Sequence, residues 1–121
     1  MIDFNVIDSS VWIAYLIGDQ NASLLIDNES GLATSVLSLF EVHKTLSRLK
    51  YSKNIISSSL SLIKQRSVIM DVDEQVTENA LDFSTKLATV DAFIYATAKL
   101  NNFKLITKDN DFRNLPNVEV I

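Results

Sequence analysis

A chain of 121 residues, with 47% hydrophobic and 21% charged residues, has the size and composition of one soluble domain, residues 1–121, around one core. Cysteine is absent and His43 is the sole histidine, which excludes disulfides, thiolate metal sites and a histidine-rich zinc centre built from one chain. No basic region precedes Asp3 and no apolar run is long enough to span a bilayer, so the expectation is a cytoplasmic protein without a membrane segment.

Two Gly and one Pro leave the chain mostly regular structure joined by short turns. Residues 3–8 read as a first strand, with Phe4, Val6 and Ile7 apolar and Asp8 at its carboxyl end. Residues 10–17 form a first helix, broken near Gly18-Asp19, and residues 20–28 a second. Gly31 opens a short strand, Leu32-Ala33-Thr34. Ser35 then caps a helix to about Leu49, whose buried face is Leu39, Val42, Leu46 and Leu49. Ile55 to Ile63 repeats the helical pattern despite four serines, which are mediocre helix formers. Residues 68–72 are a strand, and 74–87 an amphipathic helix through Val76, Ala80, Phe83 and Leu87. Thr89 caps a helix over 90–101 that is apolar almost all round, which means burial on several sides. Leu105-Ile106-Thr107 is a fourth strand, Asp111-Phe112-Arg113 a turn, and residues 118–121 a fifth strand. Alternating strands and helices with right-handed crossovers give an α/β fold, a parallel sheet covered on both faces.

Four carboxylates stand out by position. Asp8 ends the first strand, Glu41 lies inside the third helix, Asp91 sits in the first turn of the most buried helix, and Asp109 follows the fourth strand with Asp111 two residues on. Each also has an ordinary structural role open to it. Asp8 can cap a helix, though Ser9 or Ser10 serves equally well. Glu41 can pair with Lys44 or Thr45. Asp91 can satisfy the helix dipole, and Asp109 and Asp111 can be turn acids. Jointly they say more. If the first and fourth strands adjoin, Asp8, Asp91 and Asp109 meet at the carboxyl edge of the sheet, where open α/β sheets bind ligands. Clustered like charges are costly unless cations neutralise them. Oxygen donors without His or Cys select Mg²⁺ or Mn²⁺. The chemistry that most needs such a site is phosphoryl transfer.

The segments Val6-Ile7-Asp8-Ser9-Ser10, Ser38-Leu39-Phe40-Glu41-Val42, Val90 to Ala98 and Leu105 to Phe112 together resemble the PIN-domain ribonucleases, most closely the VapC-type toxins. They span the chain in the family order, and the Thr107-Lys108-Asp109 run after the fourth strand strengthens the match. The resemblance implies a three-layer α/β/α sandwich with a five-stranded parallel sheet in the order 3-2-1-4-5. It implies Asp8, Glu41, Asp91 and Asp109 as catalytic metal-site acids, Asp111 as an accessory acid, and Ser9 and Thr107 as supporting hydroxyls. It also implies the toxin of a toxin–antitoxin pair, a homodimer silenced by a small antitoxin protein.

The implied activity is that of a Mg²⁺- or Mn²⁺-dependent endoribonuclease. The net charge of −4 argues against a generic polyanion binder, but removing four acids from 15 leaves 11 to balance the 11 Lys and Arg, so local basic patches can still face RNA. Lys44 and Arg48, three and seven positions after Glu41, share its helix face and form a candidate phosphate track; a solvated face is the alternative. Two rival functions fit less well. A phosphatase using Asp8 as nucleophile lacks a second Asp two positions on, and a catalytically silent binding module of the same fold does not need all four acids.

Overall fold

A computed structural model describes residues 3–121; Met1 and Ile2, which begin the chain, lie outside the described residues. The elements follow in the order β1 (Asn5–Ile7), α1 (Ser9–Leu16), α2 (Gln20–Asn28), β2 (Leu32–Ser35), α3 (Val36–Arg48), α4 (Lys53–Arg66), β3 (Val68–Met70), α5 (Glu74–Leu81), α6 (Thr89–Leu100), β4 (Lys104–Thr107) and β5 (Val118–Val120). The five strands form one parallel sheet in the order β3-β2-β1-β4-β5. The register sets Ile7 beside Ile106, so Asp8 and Thr107 follow at the same level of neighbouring strands. The Asp8 amide continues the ladder by donating to the Ile106 carbonyl at 3.0 Å.

The strands are short, yet their alternation feeds two separate cores. Val6, Ala33 and Leu105 pack on one face with α5 and α6, through Val76, Ala80, Ile94 and Ala96. Ile7, Leu32 and Ile106 pack on the other with α1 to α4, through Val11, Trp12, Ile26, Val42, Leu46 and Ile63. Period-two alternation with both faces buried makes a three-layer sandwich. Trp12 is fully buried, and its indole N–H donates to Thr34 Oγ1 at 3.0 Å, as a buried donor requires.

Several elements differ at their ends from the expectation. The helix expected over 74–87 stops at Leu81. Phe83, Ser84 and Lys86 then donate to carbonyls three residues back, so the chain tightens into successive turns. Phe83 and Leu87 remain buried, Phe83 with its ring edge-on to Tyr95, which is why the helical spacing continued past the true end. Thr89 does not cap α6; it is the first helical residue, and Ala88 holds the cap position without a side-chain acceptor. The serine-rich helix is longer than expected, because Ser52 caps it by accepting the Ile55 amide and extends its start to Lys53.

Candidate functional site

The carboxyl edge of the sheet collects the acids because three elements end or begin there. β1 delivers Asp8, the start of α6 delivers Asp91, and the turn after β4 delivers Asp109 and Asp111. α3 crosses beside them and contributes Glu41.

Asp8 occupies the N-cap position of α1 but makes no side-chain cap hydrogen bond. Its Oδ2 accepts instead from two hydroxyls, Ser10 at 2.7 Å and Thr107 at 2.8 Å. Its Oδ1 is buried and has no hydrogen-bond partner, on a residue only 3% exposed. A buried carboxylate oxygen left unpaired is costly, so the capping role does not account for Asp8.

Ser9 turns the other way around α1 and donates to Glu41 Oε1 at 3.0 Å. The alternative role open to Glu41, pairing with Lys44 or Thr45, does not form; Glu41 is held by a hydroxyl, and no salt bridge reaches it among the described residues. Burial, aided by the charge of Asp8, raises the Glu41 carboxyl above the usual range, against the opposing pull of the Ser9 hydroxyl and the more distant Lys44. Ser38, one turn earlier on the same face of α3, also has a buried hydroxyl without a partner.

One carboxylate oxygen from each of Asp91, Asp109 and Asp111 lies within 4.8 Å of the other two. Asp109 is in part the turn acid it resembles, since its Oδ1 accepts the Asp111 amide at 2.9 Å and caps the single 3-10 turn Asn110–Phe112. Asp91 accepts no hydrogen bond among the described residues. Its carboxyl is pushed up to about 7, first by burial and then by the charges of Asp8, Asp109, Glu41 and Asp111. The charges of the other acids all reach Asp91, but only Asp109 and Asp111 share a mutual 4.8 Å approach with it, Asp8 and Glu41 lying outside that group, and burial and repulsion outweigh its favourable place at a helix start.

The PIN domain profile matches residues 6–118. The chain belongs to the PIN domain family. No curated protein sequence matches it. This PIN domain superposes on a chain of a toxin–antitoxin complex from Klebsiella pneumoniae with a TM-score of 0.83, at 22% identity and 96% coverage of both chains. It superposes on VapC20 of Mycobacterium tuberculosis, described as a sarcin-ricin loop cleaving toxin, with a TM-score of 0.80, at 21% identity over 96% of this chain and 98% of that one. VapBC2 of Rickettsia felis, bound to a DNA fragment from its promoter, gives a TM-score of 0.75 at 22% identity over 98% and 97%. At these identities the likeness is one of fold.

The PIN sheet order is the one expected, and it juxtaposes the acids as the adjacency of the first and fourth strands requires. Lys44 and Arg48 are both exposed on α3, and Lys44 is near enough to Glu41 to act on its carboxyl. Thr107 and Ser9 each support an acid, but not the same one. Ser10 is the residue that sequence reasoning missed. A second serine directly after Asp8-Ser9 looks like a spare helix cap, and only the fold shows that its hydroxyl returns to Asp8.

Proposed function

We propose that this PIN domain is a Mg²⁺- or Mn²⁺-dependent endoribonuclease of the VapC toxin type. The observation that carries the reading is the Asp8 carboxylate, with one oxygen held by two hydroxyls and the other buried without a partner. The surrounding charged groups are all carboxylates, a set that suits a hard divalent cation such as Mg²⁺ or Mn²⁺. Asp8, Glu41, Asp91 and Asp109 would hold the cation or cation pair, with Asp111 at the exposed rim.

When bound, a divalent cation there lowers the pKa of a water and offsets charge on the leaving oxygen. The chain's own residues prepare that chemistry. Ser10 and Thr107 hold Asp8 so that Oδ1 is the oxygen on offer. Ser9 fixes Glu41 on the α3 side. Asp91, raised to about 7, gives up its proton when positive charge arrives, so cation binding strengthens with pH. Exposed Lys44 and Arg48 bind RNA phosphates beside the acids. Water attacks phosphorus in line with the departing 3′-oxygen, leaving a 5′-phosphate and a 3′-hydroxyl, and the substrate's 2′-hydroxyl takes no part.

The toxin assignment is supported by the shared fold of the toxin–antitoxin proteins above, one of them described as a sarcin-ricin loop cleaving toxin. The same reading includes a protein antitoxin as partner, supported by the toxin–antitoxin complexes that share the fold, and a homodimer of this chain. The deciding experiment is cleavage of a fluorescent single-stranded RNA in Mn²⁺ and in chelator, with wild type and Asp8→Asn. The reading expects cleavage by wild type in Mn²⁺ alone, with 5′-phosphate products. Equal cleavage by Asp8→Asn, or products ending in a 2′,3′-cyclic phosphate, would refute it.

A further inference from the structure

We infer that Ser10 is a positioning residue for the cation site, acting through Asp8. The inference rests on the metal reading above and assigns a role within it to a residue that touches no cation itself. Each of the two hydroxyls at Asp8 has one proton, and both protons go to the same oxygen, Oδ2, at 2.7 Å from Ser10 and 2.8 Å from Thr107. The 3.3 Å approach of the two hydroxyls to each other then carries no proton of its own. Each hydroxyl oxygen in turn accepts a backbone N–H from the turn after β4, Lys108 to Ser10 at 3.0 Å and Asp109 to Thr107 at 2.9 Å. Two successive amides thus orient two hydroxyls, and the hydroxyls orient one carboxylate oxygen.

Such chains polarise and stiffen one another. Their effect here is to occupy Oδ2 completely and leave Oδ1, the buried atom without a partner, as the only free oxygen of Asp8. The same bonds tie the Asp109 turn to α1, so Ser10 also sets where Asp109 stands relative to Asp8. The consecutive serines divide the work, because neighbouring helical residues point about 100° apart: Ser9 serves Glu41 and Ser10 serves Asp8. Groups that orient ligands in this way typically change metal affinity by about 10–100-fold when removed.

The test measures Mn²⁺ affinity by titration calorimetry, and the rise in melting temperature between chelator and saturating Mn²⁺, for wild type, Ser10→Ala and Ser10→Thr. Ser10→Ala is expected to weaken Mn²⁺ binding about tenfold or more and to shrink the Mn²⁺-induced rise in melting temperature, while Ser10→Thr, which keeps the hydroxyl, restores both. Ser10→Ala binding Mn²⁺ within about twofold of wild type would overturn the inference. So would a lower melt in chelator with an undiminished Mn²⁺ response, because the bonds would then serve the fold alone. A loss of affinity that Ser10→Thr leaves uncorrected would likewise overturn it, by assigning the effect to packing. Wild type that binds no Mn²⁺ would overturn the metal reading itself, an outcome distinct from the failure of Ser10.

Discussion

Replacing Asp91 with Asn weighs two opposite effects of a carboxylate in the first turn of a helix. As the third residue of α6, Asp91 gains about 0.3–1 kcal/mol from the helix dipole. Against this stand burial and four neighbouring carboxylates, which raise its carboxyl to about 7. At about 1.4 kcal/mol per pKa unit, the climb from an ordinary value near 4 caps the cost of the charged form at about 4 kcal/mol. Water reaches the half-buried side chain, so the screened cost is about 1–2 kcal/mol, still at or above the dipole gain. The sign follows from proton binding. Between about pH 4 and 7 the native chain keeps a proton at Asp91 that the unfolded chain releases, so wild-type stability falls as pH rises through that window. The penalty is fully present above about pH 7 and absent below about pH 4. Less the dipole gain, the net is about 0–1.7 kcal/mol, so Asp91→Asn should melt level with wild type or up to about 7 °C above it at pH 8 in chelator, and the difference should disappear towards pH 4. In Mn²⁺ the order should reverse or close, since the cation stabilises wild type and has lost a ligand in the variant, and RNA cleavage should be abolished. Melting curves across a pH series, with and without Mn²⁺, decide the matter. A variant that melts below wild type at pH 8 in chelator and still cleaves RNA would show Asp91 to be a dipole-satisfying acid and nothing more.

Three further outcomes are expected. Millimolar Mn²⁺ should raise the wild-type melt more at pH 8 than at pH 5.5, where protons compete at Asp91 and Glu41, with about 2.7 kcal/mol gained at a hundredfold excess over the dissociation constant; a melt identical in chelator and Mn²⁺ at both pH values would contradict a formed site. Replacing Lys44 and Arg48 together with Ala should lower the salt-dependence slope of single-stranded RNA binding by roughly 1.4, two contacts at about 0.7 each, and leave Mn²⁺ affinity unchanged; an identical slope would show a merely solvated face. Ile94→Ala, in the fully buried part of α6, should cost about 2–5 kcal/mol in urea unfolding, and a loss under about 1 kcal/mol would mean that α6 is not packed as described.

Most of the architecture was legible in the residues because it is written in local terms. Apolar runs of strand length, helical spacing on α3 and α6, and scarce Gly and Pro mark each element before any contact is known. Element ends were less legible. Phe83 and Leu87 keep helical spacing beyond Leu81 because burial against Tyr95 and α6, not backbone hydrogen bonding, selects apolar residues there. The acids could be singled out by position, since an Asp after a strand and a Glu inside a helix break the local pattern. Their roles could not, because every acid had an adequate local partner in sequence. For Asp8, pairing β1 with β4 tells against the capping role by carrying Thr107 to its carboxylate across 99 positions, which leaves Oδ1 alone. The division between Ser9 and Ser10 was likewise invisible, because a helix turns adjacent side chains apart and only the neighbouring elements reveal what each one meets. Local propensity acts between near neighbours in the chain, whereas a carboxylate's protonation, its partner and its exposed oxygen depend on groups that the sheet brings together from its far ends.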